Sequence, residues 1–553
     1  MTDVTDENTE ALDRSRTVLD EAHIGDITGA FGTISMHDRG PRRSWKHRVA
    51  TMAAIMGPGL IVMIGDNDAG GVATYTQAGQ NYGTSMLWVL VLLIPVLVIN
   101  QEMVVRLGAV TGVGHARLIR ERFGRFWGFF SVGDLFVLNF LTIVTEFIGI
   151  SLGMSYFGVR PTLSVPIAAA ALIVFMITGS FRRWERVMFG CVAVSFIFIP
   201  IIAMAHPQVH PILHGLFIPG VKGGVSGNAV LLIVAIVGTT VAPWQLFFQQ
   251  SNVIDKRIGP RWIRYERVDT IVGAFITNIT AGGYMIFMAF ALAGTHYFGN
   301  FTDSGGAQDG LRSTIGYWAG AFLAIVLIDA AIIGACAVTL SSSYAFGDTF
   351  NVNHSLHRKV ADAKGFYGTY AIQVAVAAAI VLIPGAPLGT MTQYVQVLAG
   401  VLLPSASLFL LLLCNDRDIL GPWINKLWLN IATVFIIGVL VILSLILVVN
   451  SLFPAVDVLT LTYTLFGIYA GTAIIGAPIA LNTRRHRTNR NPADSSIAQP
   501  SPDRTTWQMP PLDTLPKPAK TPLRMISLYT LRGYLLIAVA LITLKVIKNF
   551  IGG

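Results

Sequence analysis

The chain has 553 residues, 53% of them hydrophobic and 12% charged, with a mean hydropathy of +0.63. Soluble domains carry about 25% charged residues, so this composition excludes an ordinary soluble enzyme, a disordered chain and a disulfide-stapled secreted domain, and it indicates a polytopic membrane protein. The net charge of +9 would suit nucleic acid only if Lys and Arg gathered on one soluble face.

Residues 1–45 are polar, without an apolar signal-peptide core, and are expected to form a disordered cytoplasmic tail with no cleavable leader. At about 20 residues per span, twelve membrane spans follow in a transmembrane core, residues 46–482. They lie near 49–78, 84–106, 126–155, 162–179, 185–205, 228–253, 268–297, 316–346, 367–384, 391–414, 427–452 and 458–481. Arg42, Arg43, Lys46 and Arg48 precede the first span, and Arg117, Arg120, Arg122 and Arg125 follow the second. Every second loop stays basic, through Arg182 and Arg183, Lys256 and Arg257, Arg358 and Lys359, Arg417 and Lys426, to Arg484 and Arg485. The loops between them carry almost no Lys or Arg. This is the positive-inside pattern, so both termini are expected in the cytoplasm of a multi-pass cell-membrane protein, and the positive charge is a topology signal that leaves no role for nucleic acid.

Residues 483–530, rich in Pro, Ser and Thr, read as a flexible cytoplasmic tail, and 531–553 as a C-terminal apolar segment. Its apolar run, 534–543, is short for a span and suits an interfacial or docked helix, with an extra crossing as the alternative. Cys191, Cys336 and Cys414 lie in apolar runs without CxxC spacing and read as small core residues.

Two spans break the rules of a membrane helix. The first carries Gly65-Asp66-Asn67-Asp68-Ala69-Gly70-Gly71 amid apolar residues. An Asp at the bilayer centre costs about 2.5–3.5 kcal/mol, so two of them require a cation or a wet cavity. The adjacent glycines let the helix unwind and free carbonyls for a cation. In a continuous helix Asp66 and Asp68 would point about 200° apart, so both face one ion only if the chain is unwound. The sixth span carries Thr239-Thr240-Val241-Ala242-Pro243-Trp244-Gln245, where Pro243 removes an amide and breaks the helix. Interrupted spans five apart are what an inverted five-plus-five repeat produces, with the substrate site where the breaks face each other.

The run GPGLIVMIGDNDAGGVATYTQAGQNYG, Arg106-Leu107-Gly108-Ala109-Val110-Thr111-Gly112, Glu146-Phe147-Ile148-Gly149 and Val395-Gln396-Val397 resemble the NRAMP family of divalent metal transporters. The resemblance covers roughly residues 45–480 and implies an all-α, LeuT-type inverted repeat with two extra spans. The family motif Asp-Pro-Gly-Asn reads here Asp68-Ala69-Gly70-Gly71, which keeps the carboxylate and replaces the Asn by glycine. Met-Pro-His reads here Ala242-Pro243-Trp244, so the soft thioether that favours transition metals is absent. Family proton-route residues fall at Trp244, Gln249 and Ile143, none of them titratable, which leaves Glu146 as a possible pathway residue. The pattern is similar to the NRAMP-related magnesium transporters, the branch that is not proton-coupled.

That resemblance implies Asp68 as the main metal ligand, with carbonyls of Gly65 and Thr239. Asp66 and Asn67 add oxygens, directly or through water, although Asp66 also suits a vestibule charge. Gln396 matches a glutamine that approaches the ion, or is interhelical glue; Gln245 is a water-mediated ligand or a partner for the unwound backbone. Gly71 and Ala242 are expected to enlarge the pocket for a partly hydrated ion, with Trp244 as a plug beside it. Mg²⁺ takes oxygen ligands and gives up water reluctantly, so one or two carboxylates and retained waters suffice. The expected function is uncoupled uptake of Mg²⁺, and Mn²⁺, by alternating access, the ion being substrate and no cofactor being needed. A divalent ion moving down about 100 mV gains about 4.6 kcal/mol without a proton. Proton-coupled Mn²⁺/Fe²⁺ transport on the same fold is the alternative. A membrane-embedded hydrolase using Asp66 and Asp68 lacks any HExxH, GxSxG or P-loop motif, so the chain is not expected to be an enzyme. The partners are divalent cations and the lipid bilayer, and the oligomeric state is left open.

Overall fold

The computed structural model describes residues 21–453, 456–489, 504–516, 518, 524–525, 527–534 and 536. After a 3-10 turn at Glu21–His23 comes an antiparallel hairpin, β1 (Ile27–Gly29) and β2 (Gly32–Ile34), in the register Ile27 to Ile34. Helices follow in the order α1 (Trp45–Ile55), α2 (Pro58–Ile64), α3 (Ala69–Tyr82), α4 (Leu87–Thr111), α5 (His115–Phe123), α6 (Arg125–Tyr156) and α7 (Pro161–Ile177). Next are α8 (Phe181–Ser195), α9 (Phe198–Met204), α10 (Val209–Phe217), α11 (Gly227–Thr240), α12 (Pro243–Asp255), α13 (Ile263–Ala291) and α14 (Ser304–Thr314). The chain continues through α15 (Tyr317–Phe350), α16 (Lys364–Val381), α17 (Leu388–Cys414), α18 (Leu427–Leu452) and α19 (Val458–Asn489), with a single turn at Arg417–Leu420.

Among the described residues nine stretches are long and apolar enough to cross a membrane, and α1 with α2, bent by 52°, makes a tenth if counted as one span. Pro161–Ile177 and Val458–Thr472 are shorter apolar helices. These stretches follow the order of the twelve expected spans. Leu163, Ile167 and Val174 on α7, Phe275 and Ile279 on α13, and Val434 and Phe435 on α18 are all exposed. Such apolar faces suit lipid, whereas α6, α11, α12, α15 and α17 are mostly buried inside the bundle.

The two breaks lie at its centre because their helices pack on its most buried members. α3 contacts α11, α13, α15 and α17, and α15 runs along α6. Gly57, at φ +151°, makes the bend between α1 and α2, a conformation open to glycine.

Both tails depart from expectation where they are described. Residues 21–45, expected to be disordered, contain the hairpin, whose Ile27, Ala30 and Ile34 are buried against α1 and α8. Residues 1–20 lie outside the described residues. In the segment expected as a flexible tail, the Met509 amide donates to the Val110 carbonyl (3.3 Å), Trp423 to the Arg504 carbonyl (2.9 Å) and Arg122 to the Pro516 carbonyl (2.8 Å). The ends of α4 and α5 and the turn before α18 offer donors and carbonyls that composition does not reveal. Of the C-terminal apolar run, the Tyr534 hydroxyl donates to the Val401 carbonyl (2.8 Å), and residues 537–553 lie outside the described residues. The three cysteines are free.

Candidate cation site

After Ile64 the chain tightens. The Asp66 and Asn67 amides donate to the Met63 and Ile64 carbonyls (3.2 and 3.0 Å), three residues back. Asp68 is then extended and caps α3, its Oδ1 accepting from the Gly71 amide at 2.7 Å. The three polar residues therefore sit outside continuous helix, which removes the 200° separation, and all three are buried. The helical partner of the Gly65 carbonyl would be the Ala69 amide, but that amide donates to Glu146 Oε2 (3.0 Å), so Gly65 loses its i+4 bond.

The second break frees a carbonyl by another route. The i+4 partner of the Thr239 carbonyl is Pro243, which has no amide and starts α12. The two breaks meet: a Cβ on Gly71 would lie 2.6 Å from the Asp66 carbonyl oxygen and 2.9 Å from Thr239 Oγ1. Tyr75 and Thr240 join α3 to α11 by a 2.8 Å hydroxyl contact. Gln396 on α17 lies over Gly70, where a Cβ would fall 1.7 Å from its Nε2. On the opposite side Gly334 of α15 lets Glu146 and Asp68 approach one another.

The result is a buried group of oxygens with spare capacity. Among the described residues no hydrogen-bond partner is found for either carboxylate oxygen of Asp66, for Asn67 Oδ1, Thr239 Oγ1 or Glu146 Oε1. Asn67 Nδ2 donates to the Thr277 carbonyl at 3.2 Å, which turns its oxygen to the other side. An unpaired buried carboxylate is too costly to persist without a cation or a proton, and three carboxylate oxygens beside an amide oxygen and a hydroxyl around one helix break suit a cation.

The chain matches the family described as natural resistance-associated macrophage protein-like, Nramp, over residues 59–450. The chain belongs to the Nramp family. Curated relatives include the divalent metal cation transporter MntH of Staphylococcus aureus strains JH9 and Newman, each 25% identical over 427 residues, covering 72% of this chain and 91% of the relative. A solved structure of the Eremococcus coleocola manganese transporter, in complex with an aromatic bis-isothiourea substituted compound, superposes with a TM-score of 0.59 at 19% identity, covering 83% of this chain and 99% of that one. A point mutant of the same Eremococcus coleocola transporter gives 0.58 at 19%, covering 81% and 98%. The expected all-α polytopic fold of LeuT type is thus the Nramp fold.

Within this Nramp chain the structure assembles Gly65, Asp66, Asn67, Asp68, Thr239, Gln396 and Glu146 around the first turn of α3, and it gives Gly71 and Ala242 a different part. Gly71 does not enlarge a pocket in this conformation, because the Asp66 carbonyl and Thr239 hydroxyl close into the space a side chain would take. Ala242 is buried as the N-cap of α12, and the Trp244 ring packs to 3.3 Å from the Cβ position of Gly65. The site is therefore closed on that side. Gln245 accepts from Gln101 Nε2 (2.8 Å) and donates to the Thr240 carbonyl (3.5 Å), so it braces the broken backbone against α4.

A cavity of about 10 Å³, room for about one water, instead lies along the other face of α3, lined by Ala69, Thr74, Gln77, Thr145, Asp303 and Gln393. Sequence reasoning missed Gly149, which brings α6 within contact of Ala69, and Gly334. Gly149 stood in a quoted motif, but Gly334 lies in an alanine-rich apolar run with no local signal.

Proposed function

We propose that this chain carries divalent cations through the membrane, Mg²⁺ and also Mn²⁺, into the cell and without proton coupling, the basic loops facing the cytoplasm. The observation that carries the reading is the chemistry of the donors: Asp66, Asp68, Asn67 and the freed carbonyls of Gly65 and Thr239 are all oxygen, with neither sulfur nor imidazole among them. Oxygen-only sites suit hard cations, and two carboxylates balance one divalent charge. The names of the curated relatives, divalent metal cation transporters, support the general class of activity and a transporter rather than an enzyme. Asp68 serves as the principal ligand, Asp66 and Asn67 as further donors and Gln396 as a polar neighbour from α17. The ion keeps part of its water, which requires the break to widen beyond this closed arrangement.

Proton-coupled Mn²⁺ transport has one observation in its favour. Glu146 stands beside Asp68 with Oε1 buried and unpartnered, where a proton can reside. Purified protein in liposomes separates the two. Mg²⁺ entry driven by an inside-negative potential, with no change in lumenal pH, is the expected result. Acidification in fixed proportion to metal entry would refute uncoupled transport, and no flux of either ion would refute the site.

A further inference from the structure

The bend between α1 and α2 is held by two buried side chains of opposite charge. Asp269 Oδ2 accepts from the amides of Gly57 (2.9 Å), Gly59 (2.8 Å) and Leu60 (3.1 Å). In a continuous helix the last two amides would serve the carbonyls of Ile55 and Met56. Those carbonyls are instead taken by Lys256 Nζ, at 2.8 Å each. Lys256 is fully buried and also pairs with Glu185 Oε1 on α8 at 2.5 Å.

Glu185 is the point where the N-terminal hairpin enters. Its Oε2 accepts from the Ala30 amide in the turn between β1 and β2, and Arg186 Nε donates to the Ala30 carbonyl (3.1 Å). Arg257 donates to the Ala22 carbonyl (2.8 and 3.1 Å) and to that of Asp26 (3.2 Å), and Arg261 to those of Asp38 and Gly40 (2.8 Å to Gly40). The hairpin lies flat on α1, and Gly29 is seated so closely that a Cβ would fall 2.0 Å from the Ala54 carbonyl oxygen. It therefore ties α1, α8 and the end of α12 together on the basic face.

We infer that the hairpin, with Glu185 and Lys256, is a latch that holds α1 and α2 against α8 and α13, and that it must release before the ion site opens to the basic face. This rests on the transport reading, which requires the site to open to both sides in turn. α1 and α2 are the segment able to move, because breaks at Gly57 and at Gly65 to Asp68 separate each from the next helix. Two three-residue strands do not form a stable unit alone, so the hairpin is held by this docking and can leave without unfolding the bundle. A buried ion pair whose remaining polar atoms are satisfied from the moving segment is strong when closed and costly when half open, which favours two discrete positions.

Thr270 reports the movement. It is buried on α13 against Gly59 of α2, so a Thr270→Cys thiol is shielded while α2 is seated. The full chain carrying this substitution is placed in liposomes with the basic face outward and treated, without any ion, with a membrane-impermeant maleimide. The same chain without the substitution corrects for Cys191, Cys336 and Cys414. Deleting residues 1–40, or substituting Gly29→Val to unseat the hairpin through its clash with the Ala54 carbonyl, is expected to speed labelling at least about tenfold. Gly29→Val also covers the case in which the deleted chain fails to fold. Labelling within twofold of the latched protein in the folded variants would overturn the latch. Because no ion is present, that outcome is distinguishable from failure of the transport reading.

Discussion

Gly71→Ala probes how closely the two helix breaks approach one another. If glycine were there to leave room, a methyl group would fit. In the structure its Cβ would stand 2.6 Å from the Asp66 carbonyl oxygen and 2.9 Å from Thr239 Oγ1. The hydroxyl can rotate, but the carbonyl is backbone, and since a Cβ needs at least 3.0 Å it must retreat by about 0.4 Å. That retreat moves the turn bearing Asp66 and Asn67 relative to Asp68. Overpacking of this kind costs about 1–3 kcal/mol, and Mg²⁺ demands near-ideal geometry. If the whole cost falls on the ion-bound state, affinity drops about 5-fold to 150-fold. Titration calorimetry of purified wild type and Gly71→Ala with Mg²⁺ and Mn²⁺ reads this directly, with Gly71→Asn expected to be at least as weak. Wild-type affinity in Gly71→Ala would refute the close approach of the two breaks.

Asp68 caps α3 and is the proposed principal ligand, and two substitutions separate these roles. Asp68→Asn keeps a capping oxygen and should fold with near wild-type Tm yet lose ion binding at least about tenfold, whereas Asp68→Ala should also lose about 0.5–2 kcal/mol of stability. Pro243→Ala restores the amide that the Thr239 carbonyl lacks, so ion affinity should fall while thermal stability holds or rises; unchanged affinity would exclude that carbonyl. Glu146→Gln should leave potential-driven Mg²⁺ flux within about threefold in the uncoupled reading, and loss of all flux would favour a proton role. On the basic face, burial alone would lower the pKa of His354, but the Asp348 carboxylate at 3.2 Å and the Val352 carbonyl outweigh it and hold the imidazole above its usual range. A raised folded pKa stabilises fully below the unfolded value of about 6.5 and is lost as pH rises through the folded one. Tm should therefore fall from pH about 6 to about 9 more steeply in wild type than in Asp348→Asn.

How much of this was legible beforehand follows from what kind of information each feature needs. Membrane residence, the order of the helices and the two breaks are local properties. Apolar length, alternating basic loops, an Asp-rich run and a proline each act on their own segment, so the sequence by itself determined them. The polar run at the first break was legible too, because Asp66, Asn67 and Asp68 stand out in an apolar stretch. What only the tertiary structure decided is how the pieces meet. Ala69 donates to Glu146 rather than along its own helix because α6 approaches at Gly149, and that approach frees the Gly65 carbonyl. Gly71 closes the site instead of widening it because α11 arrives there, and Gln245 braces α4 because Gln101 faces it. The polar N-terminal stretch becomes a docked hairpin because Glu185, Lys256, Arg257 and Arg261, scattered over two regions of the chain, form one receiving surface. Composition describes a segment's cost in water or lipid, whereas its partners are set by distances across the fold.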